Sequence, residues 1–514
     1  MRRGLCVVFV ALASTSAFAG YRRGALIEEL KFRPADKPAC AAADTCGDVL
    51  WIAEGGRGGD GAIRFRSSGK NMSAMFSLPL ETAKYRGKIV QIETDMKGIG
   101  IGRGDQPWNG PKLMFPHCNE RGMVYPEVPK EFGFYDWKTL TMVFAFSRES
   151  KDLRLALGLE FAPGELWVDA VRIYEAEEVA DETVVAPVNE RAAKIPRGPW
   201  HGRHNPNAFR GVMSGGDMSE AAFEELTKWN ANLIRLQVGI EIKDQKTLAD
   251  WFRALDAKLD WAEEILRRCR KHGIKAVIDL HGGPGTVATK HASSIIPDDY
   301  DPEPLKETWR RIVTRIKNYP EVYGYDILNE PSTTLAKWDE LFLSVTAEIR
   351  KLDAKTPVIT EFCHRYFEGE NVVYSPHFYS PHTYTHAGVV NTGEVRWTYP
   401  GYIDGVYWDV EQMRVDLEPW IRFSLAHPDA RILVGEFSAI VWAKGAAEYI
   451  RDCISVFEEY GWDWTYHAFR EWQAWDVEYT HVGNYELGTW QKATADTARK
   501  TELLRGLSKN RRMN

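Results

Sequence analysis

From Phe209 to the end of the chain, short apolar runs alternate with amphipathic helices, and this alternation restricts the fold more than any other feature. The runs are FRGVM, NLIRLQV, KAVIDLH, VYGYDILNE, PVITE, NVVYSPHFY, RILVGEF and WDWTYHAF, eight in all. Each has strand length and is rich in branched and aromatic residues, as parallel strands covered on both faces must be. Between them, Leu305, Trp309, Ile312 and Ile316 recur at helical spacing, as do Trp338, Leu341, Val345, Ile349 and Leu352, and Tyr449, Cys453, Val456 and Tyr460. Eight strand-helix repeats in residues 200–514 predict an α/β fold, a (β/α)8 barrel. An open doubly wound sheet would place a glycine-rich phosphate loop after an early strand. The glycine-rich HGGPGT after the third run lacks the lysine and serine of such a loop.

Before Phe209 the period is two. Residues 20–177 hold alternating runs such as MSAMFSLPL, KIVQIETDMKGIG, TLTMVFAF and ELWVDAVRIYEAE, broken by glycine, which predict an all-β, jelly-roll-like sandwich. Residues 178–199, rich in charge, Pro, Ala and Val, read as a linker. The first residues, MRRGLCVVFVALASTSAFAG, set two arginines before an apolar run and Ala17-Phe18-Ala19. That is the form of a secretory signal over residues 1–19, with an apolar run shorter than the ~20 residues of a spanning helix. Export to an extracellular or periplasmic location is expected, with no membrane association after cleavage. Cleavage there leaves 63 basic against 72 acidic groups, a formal charge of −9, a balance unsuited to nucleic acid or an anionic membrane. Cys40 and Cys46 are the expected disulfide pair, and Cys269 and Cys453, on apolar helix faces, are expected to be free thiols. The sequence has no CxxC and no His/Cys cluster, so no structural zinc is expected.

Two of the barrel runs end in a glutamate, YDILNEP and ILVGEFS, where packing alone would favour an apolar residue. In a parallel barrel the C-terminal strand ends converge on one face, where chemistry is assembled from several strands. Other runs end in functional side chains as well: Arg235 on the second, His281 on the third, Asn329 and Glu330 on the fourth, His377 and Tyr379 on the sixth, Glu436 on the seventh. Two carboxylates facing each other across such a mouth are what glycosidic bond cleavage needs.

Taken as a set, NLIRLQV, IDLHG, DILNEP, PHFYSP and VGEFS resemble, in order and spacing, the strand-end motifs of the retaining glycoside hydrolases of family 5, the cellulase family. The resemblance covers the barrel and implies Glu330 as general acid/base and Glu436 as nucleophile, with no metal or other cofactor. Asn329 offers its amide to a sugar 2-hydroxyl, and Arg235 and Tyr379 are placed to hold Glu436 ionised. His281 and His377 serve either as hydrogen-bonding partners of substrate or carboxylate, or as satisfied core residues. The family usually carries a tryptophan platform on the eighth strand. Here His467 aligns with that place, and Trp472, just past the strand, is the expected platform. Trp397, Tyr399, Tyr402 and Trp408, in the long connection after the sixth strand, are either sugar subsites or a loop packed on its own aromatics. The sandwich resembles carbohydrate-binding modules more loosely, with Trp51, Trp108 and Trp137 as a candidate binding face. The implied partner is a β-linked polysaccharide or oligosaccharide, first a β-1,4-glucan cut internally. β-Mannan, xyloglucan, exo-acting β-glucosidase action, transglycosylation and a non-catalytic carbohydrate-binding protein are the alternatives, and the oligomeric state is left open.

Overall fold

The computed structural model describes residues 18–511, except 37–47, 70–71, 103, 105–107, 121, 129, 181–185, 241–246, 285–293, 295, 297–299, 388, 390–396 and 483–488. Cys40, Cys46 and most of the signal-like segment therefore lie outside the described residues. Cys269 and Cys453 are buried free thiols.

The N-terminal half is a strand-rich sandwich. The long strand Pro163–Ala180 pairs antiparallel with Phe18–Lys31, Ala62–Ser68 and Ile89–Ile101, and a separate sheet is formed by Ala74–Pro79, Arg154–Glu160 and Gly110–Met114. Alternate residues of both sheets, among them Phe65, Phe76, Ile92, Leu157 and Leu166, meet in one apolar core. This is what period-two patterning produces when one face of each sheet is buried.

The C-terminal half is a closed barrel of eight strands: Arg210–Ser214, Leu233–Gln237, Lys275–Asp279, Val322–Asp326, Val358–Thr360, Val372–Tyr374, Arg431–Val434 and Asp463–His467. Every neighbouring pair is parallel, the last closing on the first, so each predicted run supplies one strand. The helices Glu303–Ile316, Leu335–Leu352 and Ala446–Tyr460 bury the apolar stripes read from the sequence. Pro376 and Gly435 interrupt the sixth and seventh runs, and a short second pairing follows, His377–Phe378 against Glu436–Phe437.

Leu233, Val277, Tyr323, Ile359, Val373 and Leu433 fill the barrel's interior. Two residues further along a strand the side chain points the same way, so Arg235, Asp279 and Glu361 enter the next layer up. The fourth strand reaches it differently. Ala276 pairs with Val322 but Val277 with Gly324, so Tyr323 is an extra residue. That bulge resets the alternation and turns Asp326 inward.

The halves share a sheet. A hairpin from the connection after the sixth barrel strand, Gly401–Ile403 and Val406–Trp408, joins the sandwich, with Gly20 pairing in parallel with Tyr402. At its turn Gly405 has φ 78°, and a Cβ there would lie 2.2 Å from the Gln91 side chain, so only glycine fits both the left-handed backbone and the space. Gly100, at the sandwich tip, lies against Thr334, just beyond Glu330: a Cβ on it would be 3.6 Å from the Thr334 methyl.

Candidate active site

The mouth of the barrel is organised around Arg235, whose side chain is fully buried. Nη1 donates to Glu436 Oε1 at 2.6 Å, Nε and Nη2 to Asp326 Oδ2 at 3.1 and 2.9 Å, and Nη2 also to Asn329 Oδ1 at 2.8 Å. Nη2 lies 3.2 Å from Asp279 Oδ1 and 3.7 Å from Glu361 Oε1. Burial opposes the charged guanidinium, but Asp279, Asp326, Glu436 and Glu361 outweigh it and keep the arginine protonated. Because Asn329 uses its oxygen on Arg235, its Nδ2 is left to donate elsewhere.

The two glutamates differ in kind. Glu436 is buried, with Oε1 on Arg235 and Oε2 accepting from the Tyr379 hydroxyl at 2.8 Å. Burial pushes its carboxyl up, yet the positive charge of His377, His467, Arg235 and His281 prevails and holds it well below the usual range. The Glu330 side chain keeps 52% of its surface accessible although it stands deep enough in the mouth to be desolvated. Its φ is 45°, in the left-handed region for a non-glycine residue, a conformation that costs about 1–3 kcal/mol and persists only where the surroundings impose it. Its amide donates to Glu361 Oε1 at 2.8 Å and its Oε1 meets His377 Nδ1 at 3.0 Å. Desolvation raises the Glu330 carboxyl, but the bond to His377 and the charge of that ring bring it below its ordinary value.

Glu330, His377 and Glu436 each present one atom within 4.8 Å of the others'. Donors at that spacing suit a cation, but Arg235 already sets its positive charge 2.6 Å from Glu436 Oε1, and His377 is itself cationic. Burial disfavours the His377 imidazolium, while Glu361, Glu436 and the bond to Glu330 push it to about 10. His281 is likewise pushed to about 9, against burial, chiefly by Asp279, whose Oδ2 is 2.8 Å from Nδ1. Glu361, 3.3 Å from His377 Nε2, is driven up to about 8, by burial first.

These shifts dictate how stability varies with pH. His377 and His281 lie above their ordinary 6.5, so the stability from their protonation is complete below that value and lost as pH rises through about 9 and 10. Glu361 adds a loss of the same sign between its ordinary 4.5 and about 8. Glu436 and Glu330, held low, contribute stability that is present above 4.5 and lost only in acid. Melting temperature is therefore expected to fall steadily on the alkaline side of pH 6.5. A Tm that stays level from there to pH 10 would contradict the charge assignment.

Arg235, His281, Asn329, Glu330, His377, Tyr379 and Glu436 all meet at this mouth. Trp472 sits beside it, half-buried against Trp475 and Trp490 at centroid distances of 5.6 and 6.3 Å. His467 ends the eighth strand and borders Tyr379. Of the two readings the sequence left open for the long connection, packing holds for three of its aromatics: Trp397, Tyr399 and Trp408 are buried, Tyr399 donating to Asp452 at 2.8 Å. They pack the connection onto the barrel and present no face to a ligand. Tyr402 is taken up by the shared sheet, its ring beside Tyr407. In the sandwich, Trp51 packs edge-on to Phe76, while Trp108 is exposed. Reading from sequence overlooked Asp279, Asp326, Glu361 and Glu471. Glu361 carried a usable signal, since it closes PVITE as the two chosen glutamates close their runs.

An eight-stranded parallel barrel with an acidic pair just beyond strands four and seven has the architecture of a glycosidase-type hydrolase. Residues 203–473, more than half of the chain, match the family described as Cellulase (glycosyl hydrolase family 5). The chain belongs to that family and is an O-glycosyl hydrolase acting on β-glycosidic bonds. Endoglucanase C of Acetivibrio thermocellus is 25% identical over 260 residues, covering 40% of this chain and 72% of that protein. Cellodextrinase A of Ruminococcus flavefaciens is 22% identical over 218 residues, 36% of this chain and 63% of its own. The solved structure of endoglucanase Cel5A from Thermotoga maritima aligns over 58% of this chain and 96% of that one, at 20% identity and a TM-score of 0.44.

Proposed function

We propose that the protein is an exported, retaining endo-β-1,4-glucanase with Glu436 as nucleophile and Glu330 as general acid/base. The carrying observation is the spacing of the pair, whose nearest carboxylate oxygens lie within 4.8 Å. That is close to the about 5–5.5 Å of double displacement and well short of the about 6.5–9.5 Å that admits an inverting water. The asymmetry of the pair supports the roles. Glu436 is ionised and fixed from two sides, and Glu330 stands where a departing sugar oxygen and an incoming water have access. In the first step a Glu436 oxygen bonds to the anomeric carbon while Glu330 gives its proton to the leaving oxygen. In the second, water attacks that carbon, Glu330 takes the water's proton, and the bond to Glu436 breaks.

The proton for the first step has a source. In the free protein it rests on His377, whose Nδ1 is 3.0 Å from Glu330 Oε1. A sugar chain that excludes water from Glu330 disfavours its ionised form, so the proton moves along that bond and leaves a carboxylic acid beside a neutral imidazole. The relatives' names, endoglucanase and cellodextrinase, support a β-1,4-glucan substrate, and the signal-like first residues support action outside the cytoplasm. NMR of the first product from a soluble β-1,4-glucan, with sizing of the fragments, tests the reading. The β-anomer and internal fragments are expected. An α-anomer formed first would refute double displacement, and cleavage confined to another β-glycan would reassign the substrate.

A further inference from the structure

The Tyr379 hydroxyl stands at a junction that the double-displacement scheme does not explain. It donates to Glu436 Oε2 at 2.8 Å, and its oxygen lies 2.5 Å from His467 Nδ1. A phenol has one proton, here directed at an ionised carboxylate, so the second bond requires an N–H on His467 Nδ1 as donor. On the other side of the ring, Nε2 lies 3.4 Å from Glu471 Oε1. Glu471 is itself fixed, its Oε2 accepting from Gln237 Nε2 at 2.9 Å and from the Gly215 amide at 3.3 Å. A carboxylate accepts and does not donate, so His467 carries hydrogens on both nitrogens. Trp475 lies nearly parallel to the imidazole, with centroids 5.9 Å apart.

We propose that Glu471 and His467 are positioning residues for the nucleophile: Glu471 holds His467 as an imidazolium, which keeps Glu436 ionised and aimed through the Tyr379 hydroxyl. The inference rests on the reading of Glu436 as nucleophile. The imidazolium also acts directly, since Nδ1 is 3.6 Å from Glu436 Oε2. The histidine stands where the family pattern usually carries a tryptophan, so this chain has a charged donor in place of a sugar-facing ring. The other titratable groups facing the relay are His281 from the third strand, Arg235 from the second, Glu330 after the fourth, His377 beside Glu436 and His386 after helix His382–Thr385. His386, edge-on to Tyr379 and Trp475, is neutral at working pH, since burial first and then His382 and His467 lower it to about 3.

The test is the pH dependence of kcat/KM on a soluble glucan for Glu471→Gln, His467→Gln and the double variant, with melting curves to verify folding. Glu471→Gln removes the counter-charge that sustains the imidazolium, and His467→Gln keeps an amide donor for Tyr379 without charge. Each is expected to move the acidic limb up by about one pH unit, because an opposite charge beside the carboxylate is lost. The double variant should shift it no further than either single one, since both act through one relay. An acidic limb that stays in place in either folded single variant, or shifts that add in the double, would overturn the proposal. Full activity in Glu436→Ala would instead refute the functional reading on which it rests.

Discussion

Glu436→Ala is expected to lower kcat by roughly 10⁶-fold, the scale seen when a covalent nucleophile is removed, and added azide should restore turnover of an aryl β-glycoside. The space vacated by the carboxylate lies between Arg235 and Tyr379, and both remain to hold an anion there. Azide attacking from that side displaces the leaving group once, so the product is the α-glycosyl azide. Glu330→Ala should give the opposite anomer. In that variant the ester at Glu436 still forms from a substrate with a good leaving group, and azide opens it by a second inversion to the β-azide. The two stereochemical outcomes assign the roles separately. A Glu436→Ala enzyme within about a hundredfold of wild type would end the nucleophile assignment, because general acid–base assistance alone accounts for factors of 10²–10⁴.

The largest effect on stability is expected at Arg235. Arg235→Met keeps the buried volume but strips the guanidinium that bonds Asp326, Asn329 and Glu436 together and lies 3.2 Å from Asp279. Removing one partner of a buried ionic cluster typically costs about 3–5 kcal/mol, because the remaining charges stay desolvated. For a domain of this size that is a drop in Tm on the order of 10 °C. Arg235→Lys should lie between, since an ammonium keeps the charge but cannot bond three acceptors in one plane. Urea denaturation of the folded variants measures the difference. A loss within about 0.5 kcal/mol for Arg235→Met, the range of ordinary surface changes, would mean that the carboxylates take up protons in place of the guanidinium.

The change of period at Phe209, eight apolar runs and two strand-end glutamates were all readable along the chain. Strand and helix periodicity is a local property, and a parallel barrel converts order in sequence directly into order in space. The residues closing those runs could therefore be placed at one mouth before any coordinate was known, and the double set of glutamates followed. Family motifs added the roles of Glu330 and Glu436 but no partners beyond the nearest ones.

What the tertiary structure alone decided are the pairings across the barrel and the burial of the loops. Arg235 bonds a carboxylate 201 residues away and another 91 away, and no spacing rule in the chain expresses such distances. The bulge at Tyr323 that turns Asp326 inward is a one-residue shift of register, invisible in a pattern that fits either parity. Glu361 resembled any acid at a strand end until its carboxylate was found holding the Glu330 amide. Trp397, Tyr399 and Trp408 have the composition of a sugar-binding loop and of a packed one alike, because an aromatic face buries against protein or sugar by the same apolar contact. The sheet shared through Gly20 and Tyr402, and the relay from Glu471 to Glu436, exist only because the fold brings donors and acceptors from separate strands within a few ångströms. Hydrogen bonding acts at that range and not along the sequence.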